Sequence, residues 1–248
     1  SYPLFRLLYK TLNKSLDFFI LDLRDPKPEI ISSKQVSYDL YRRVQIEANI
    51  RKLASGQEGW EDRLALLVDD IVANYAKNSG QVHQNGVLKG VCMGARNGSE
   101  VKAFQQLLEQ AFARQGHELE IKVIGTDISP TAAAFPNMIV HDFHDPVSDN
   151  IGKVDFIYSN SHDQAQDPEK ALGAWIASLK DDGTLYLEHM RGHGKQSLSL
   201  LDPFSCETEI FPFQFLKWFG GKAAIEKVLF PRPNIETHVF FVIKKLWQ

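Results

Sequence analysis

GVCMGARNGSEV, residues 90–101, is where an apolar run stops, a glycine-spaced turn follows, and an acidic residue opens the next segment. Its reading decides the fold. Just before it, VLKGVC (residues 87–92) has the length and apolar content of a short buried strand, although Gly90 weakens it. After it, Val101, Phe104, Leu107, Leu108, Ala111 and Phe112 recur on one face of a helix over residues 99–115, and Gly116 suits its left-handed end. Gly94 and Gly98 therefore sit in a tight strand-to-helix turn. Glycine there lets a ligand approach the backbone, and the free N–H groups of a helix start favour an anion.

The same alternation continues downstream. Residues 120–126 (EIKVIGT), 138–141 (MIVH), 154–159 (VDFIYS) and 184–189 (TLYLEH) read as further strands. Asp167-Pro168-Glu169 opens a helix to about residue 179, with a capping carboxylate and a proline in the first turn, and Asp181-Asp182-Gly183 marks a turn before the fifth strand. Strands alternating with crossover helices imply a parallel sheet covered on both faces. The tail differs: a short helix over residues 213–219, then strands at 223–230 and 236–245 joined closely enough to pair antiparallel. The expected fold class is α/β: a doubly wound, mostly parallel, seven-stranded sheet ending in an antiparallel hairpin. Residues 1–84 form a helical N-terminal extension with helices at 38–53 and 60–75, and residues 85–248 form the sheet domain.

Net charge is -3, which argues against a broad basic surface and against nucleic acid as a partner. Cys92 and Cys206 form no CxxC pair and no zinc spacing, so a reducing, cytoplasmic location is expected. No apolar run reaches a membrane span, and charges break the apolar start at Arg6, Lys10, Lys14 and Asp17, so that segment is expected to pack on the body.

In a doubly wound sheet the ligand lies beyond the carboxyl ends of the strands, where strand order reverses. Asp127 ends the second strand and can accept both hydroxyls of a ribose. Asp142 follows the third and can accept from an exocyclic amine, with Phe143 placed to flank an adenine ring. Each has a plainer reading: Asp127 as a cap before Ser129-Pro130, Asp142 as a solvated loop carboxylate, Phe143 as core.

These features resemble the class I S-adenosylmethionine-dependent methyltransferases, from residue 87 to the C-terminus. The resemblance implies a Rossmann-like fold that binds S-adenosyl-L-methionine. By position, Gly94, Ala95, Arg96, Gly98 and Glu100 would hold its methionine part, Asp127 and Ile128 the ribose, and Asp142 and Phe143 the adenine. The loop from Ser159 and Asn160 to Asp163 would border the reacting methyl group. DDGTLYLE resembles the family's turn into its fifth strand. The sequence departs from the family at two places: Cys92 stands where an acidic residue is usual, and Arg96 at the middle glycine. The resulting Gly-x-Arg-x-Gly-x-Glu, with a later Asp-Phe-His, is similar to a subgroup of methyltransferase-like sequences. A guanidinium at Arg96 suits a bidentate carboxylate, and Glu100 one turn on suits an ammonium.

For catalysis, His162 and His189 are the candidate bases, with Asp163 and Glu188 placed to orient them. Either histidine also reads as a structural hydrogen-bonding residue. The Asn-Pro-Pro-Tyr pattern of family members that methylate amide or base nitrogens is absent after the fourth strand, which weighs against nucleic acid or glutamine as acceptor; the resemblance then implies a small-molecule acceptor, with O-methylation as one option. Tyr38, Tyr41, Arg42 and Arg43 read as a solvated helix face more readily than as acceptor contacts. His141, His144 and Asp145, and the pair His189 and His193, have ligand chemistry but no convergent spacing, so no metal is expected. Two other functions fit the same residues: a non-catalytic binding or assembly domain, and an NAD(P)-dependent oxidoreductase using Asp127, the latter weakened by the lack of G-x-G-x-x-G.

Overall fold

In the computed structural model, residues 29–30, 36–53, 60–78, 86–147, 152–190, 198–231 and 238–246 are described. Strands β2 (Val87–Met93), β3 (Glu120–Asp127), β4 (Met138–Val140), β5 (Val154–Ser159), β6 (Leu179–Met190), β8 (Ala223–Leu229) and β9 (His238–Lys245) form one sheet in the order β4-β3-β2-β5-β6-β9-β8. The first five run parallel; β9 joins β6 antiparallel and β8 closes the hairpin. A two-residue strand β1 (Glu29–Ile30) pairs antiparallel with β7 (Phe204–Ser205) away from this sheet. Nothing in the sequence pattern announced that pair.

Alternation along each strand sorts side chains into two cores. Leu88, Cys92, Phe156, Tyr158, Tyr186, Phe240 and Val242 face helices α2 (Trp60–Asn78) and α3 (Ser99–Arg114), whose Leu64, Leu67, Phe104 and Leu108 are fully buried. Val91, Met93, Ile157, Leu185, Leu187 and Phe241 face α4 (Pro168–Ser178) and α5 (Phe211–Phe219). Trp175 of α4 is wholly buried there, its indole N–H donated to the Phe143 carbonyl at 2.9 Å. The aromatic run 211–219 is thus core on one side, with Phe211, Phe215 and Phe219 buried, while Phe213 and Leu216 are exposed.

Two local features refine the sequence reading. Gly90 is not a weak point of its strand: the Phe156 ring lies across it, 2.1 Å from where a β-carbon would stand, so only glycine admits that ring. The Asp181–Gly183 segment does not end the structure before β6. The strand starts at Leu179 and runs through a register shift, held by Lys180 to Asp155 at 2.5 Å and Lys245 to Asp181 at 3.4 Å. Helix α1 (Tyr38–Lys52) is capped by Ser37, whose hydroxyl accepts from the Leu40 N–H. No helix among the described residues is long and apolar enough to cross a membrane.

Candidate functional site

Strand order reverses between β2 and β5, so the crevice opens where Gly94, Asp127 and Ser159 leave the sheet. Gly94 has φ +76°, and a β-carbon on it would meet that of Ser161 at 2.8 Å. The chain then turns through Arg96 at φ 43° and Gly98 at φ 73°, which caps α3. A left-handed arginine costs about 1–2 kcal/mol relative to its ordinary conformations. The turn keeps the geometry of a glycine at this place while carrying a guanidinium. Ala95 is buried and its N–H donates to the Thr126 carbonyl at 2.8 Å, so it anchors the turn rather than facing the crevice.

At one end of the crevice is a polar cavity of about 280 Å³, bounded by Gly94, Arg96, Glu100, Asn160, His162 and Asp163. Arg96 Nε is buried and finds no hydrogen-bond partner among the described residues. Glu100 is 5% exposed, and burial pushes its carboxyl up to about 8, beyond what nearby Arg96 and Arg63 offset. A guanidinium and a near-neutral carboxyl side by side suit a ligand bearing both a carboxylate and an ammonium. They fit the amino-acid end of S-adenosylmethionine.

His162 opens a short 3-10 turn (His162–Gln164), and its Nε2 lies 3.0 Å from Nδ1 of His189, so one ring donates and the other accepts. Both are buried; His189 packs against Phe211 and Phe241, behind His162 as seen from the cavity. Glu188 does not orient either histidine. Being next to His189 on a strand, it points to the opposite face, where it accepts from Arg63 and from the Tyr158 hydroxyl. Arg63 was not anticipated; it lies on the polar side of α2, and only the fold brings it to Glu188.

The other end of the crevice is lined by Asp127, Ile128, Asp142 and Phe143. Asp127 is 3% exposed and accepts from Ser129 N–H and Asn49 Nδ2 at 2.8 Å, and from Arg96 N–H at 3.0 Å. Burial nevertheless outweighs these bonds and raises its carboxyl above the usual range. Burial acts the same way on Asp142, but hydrogen bonds from His144 and Tyr38 prevail and hold it below that range. His144 Nε2 accepts from the Asp167 N–H at 3.3 Å, so its proton sits on Nδ1 and is donated to Asp142. Asp127 thus caps its turn and also faces the crevice; Phe143 is core against Trp175 and also its floor. Ser159 is fully buried, donating to the Met93 carbonyl at 3.0 Å and accepting from Ser161 N–H; it supports the loop from behind, while Asn160 lines the cavity.

Tyr41 corrects the expectation of a solvated helix face: it is 3% exposed and donates to the Gln164 carbonyl at 2.7 Å, whereas Arg42 and Arg43 are exposed. His141 Nε2 donates to the Asp145 carbonyl at 2.8 Å, and Asp145 pairs with Lys170; among the described residues no three His, Cys, Asp or Glu side chains are grouped to hold a metal. His193 and the N-terminal residues 1–28 lie outside the described residues. A larger cavity, about 390 Å³, lies at the amino ends of β2, β5 and β6 between Ile71, Leu88, Phe156 and Tyr186 and touches none of the candidate residues.

No protein-family model matches the chain, nor does any curated protein sequence. Solved structures do match. The [4+2]-cyclase SpnF superposes with a TM-score of 0.54 at 12% identity, covering 89% of this chain and 98% of that one. The DszA carbon methyltransferase gives 0.52 at 12% identity, covering 86% and 58%. The citrinin polyketide synthase CMeT domain gives 0.51 at 18% identity, covering 70% and 51%. The fold is the Rossmann-like α/β fold that these structures share. At these identities the likeness is one of fold, and the chain spans about half the length of the citrinin protein. A cyclase among the matches is a reminder that chemistry is decided by site residues.

Proposed function

We propose that this chain is an S-adenosylmethionine-dependent methyltransferase acting on a small-molecule acceptor. The observation that carries the reading is that Arg96 and Glu100 both line the 280 Å³ cavity, with Arg96 Nε buried and unpartnered among the described residues. In this reading Arg96 binds the carboxylate of the cofactor's methionine part, and Glu100 ionises against its ammonium. Asp127 and Asp142 take the adenosine. The cofactor, when bound, supplies a methyl group on a positively charged sulfur. The chain's own residues do the rest: Asn160, His162 and Asp163 wall the space where an acceptor would stand and orient it toward the methyl group.

His162 is our candidate base for an acceptor hydroxyl, and His189 its positioning residue. A proton reaching His162 can be shared across the 3.0 Å contact, so the pair carries one more proton without a charge on both rings. O-methylation follows from that base. A second reading, a methyltransferase-like domain that binds without transferring methyl, is favoured by one observation: helix α1 fills the adenosine end, where only about 10 Å³ is open. Calorimetric titration with S-adenosylmethionine, S-adenosylhomocysteine and NAD separates the possibilities. Binding of the first two supports the proposal, binding of NAD alone replaces it with an oxidoreductase, and binding of none leaves the non-catalytic reading.

A further inference from the structure

Helix α1 is inverted relative to an ordinary surface helix. Its buried positions are Tyr41, Gln45, Ala48 and Asn49, while Leu40 and Ile50 are 39% and 49% exposed. Helix α2, by contrast, is held by Leu64, Leu67, Val68, Ile71 and Val72, all buried in the sheet's core. The attachment of α1 is therefore mainly polar. Its Gln45 amide donates to the Leu201 carbonyl at 2.7 Å, and Tyr41 to that of Gln164. Its other two anchors fall on the pair of carboxylates assigned above to adenosine. Asn49 donates to Asp127 at 2.8 Å, as a ribose hydroxyl would, and the Tyr38 hydroxyl donates to Asp142, as an adenine amine would. The Tyr41 ring borders the same hollow with Phe143, and about 10 Å³ remains between them, too little for one ring.

We infer that α1 is a built-in competitor of the nucleoside: its side chains satisfy Asp127 and Asp142 when no cofactor is present, and α1 must move aside for adenosine to enter. The inference rests on the methyltransferase reading. Donors that match the ligand's own donors add to the bonds that buried Asp127 accepts from Ser129 and Arg96 and half-buried Asp142 accepts from His144, and losing them without replacement would leave part of each carboxylate's acceptor capacity unmet. A helix held by polar contacts rather than a large apolar face is the kind of element that opens locally. Observed affinity is then the intrinsic affinity reduced by the fraction of molecules in which α1 is displaced.

The test uses the full chain and S-adenosylhomocysteine. The double variant Tyr38→Phe/Asn49→Ala removes both competing donors without touching Arg96, Glu100, Asp127 or Asp142. It is expected to bind about tenfold more tightly than the parent, as loss of two hydrogen bonds from the closed form implies. Hydrogen exchange of residues 38–52 in the unaltered chain gives an independent reading: saturation with S-adenosylhomocysteine should speed exchange there. Equal or weaker binding by the variant, or slower exchange of α1 on saturation, overturns the inference and leaves the proposed function standing, with α1 as a cap that closes over its ligand. If neither protein binds S-adenosylhomocysteine or S-adenosylmethionine, the proposed function fails and the inference with it.

Discussion

Replacing Glu100 with glutamine isolates the energetic consequence of burying a carboxyl in the first turn of α3. Glu100 is raised from 4.5 to about 8, with burial the largest cause. The sign follows from proton binding. The folded state holds this proton more tightly than the unfolded chain, so the contribution to stability is complete below pH 4.5 and is lost as pH rises towards 8. At about 1.36 kcal/mol per pH unit, the interval from 4.5 to about 8 amounts to about 5 kcal/mol as an upper bound. Glu100→Gln keeps the shape and removes the proton, so its stability lacks this slope. Denaturant unfolding of both proteins from pH 5 to pH 9 is the assay. The variant should gain on the parent by roughly 1.4 kcal/mol per pH unit across the window and then level off near pH 8. A stability difference that stays constant over the window would mean that Glu100 titrates as an exposed carboxyl does and is not perturbed by burial.

The same group gives a ligand-linked signal: at pH 7 about nine-tenths of it is protonated, so an ammonium bound beside it should expel close to one proton. Calorimetry of S-adenosylhomocysteine binding in buffers of different ionisation heat measures that release, and Glu100→Gln should lower it by that amount. Gly94→Ala should cost about 2–4 kcal/mol in urea unfolding, from a left-handed alanine and a contact at 2.8 Å with Ser161; a cost below about 1 kcal/mol would contradict the turn. Arg96→Gly relieves the left-handed backbone at φ 43°, so stability should hold within about 1 kcal/mol or rise, while affinity for S-adenosylhomocysteine falls at least about tenfold; parallel loss of both would make Arg96 structural.

Much of the sheet was legible because strand alternation and turn chemistry are local. Phe156 and Tyr158 against Ile157, and the five apolar residues of β9, report their faces in the sequence itself. Strand ends were legible for the same reason, which is why Asp127 and Asp142 could be placed at one edge. Helix α1 was misread because its inward face is polar: Leu40 and Ile50 follow a helical spacing, yet Tyr41, Gln45 and Asn49 are the side chains that meet the crevice. A periodicity rule assumes that interiors are apolar, and a binding site violates that assumption. Arg63 and Glu188 are 125 positions apart, and no local signal joins them. That Glu188 cannot face the histidines was readable, since it precedes His189 on a strand. Ala95 and Ser159 sit at the expected places in the chain but support the site from within the fold.

In the proposed function the crevice beyond β2, β3 and β5 takes a compound carrying both an adenosine and an amino-acid group, gripped by Arg96. Titration of the parent chain and of Arg96→Ala with S-adenosylhomocysteine measures it most directly. Saturable one-site binding by the parent and at least about tenfold weaker binding by the variant are expected. Equal affinity of the two proteins, or no binding by the parent at any concentration reached, would contradict it.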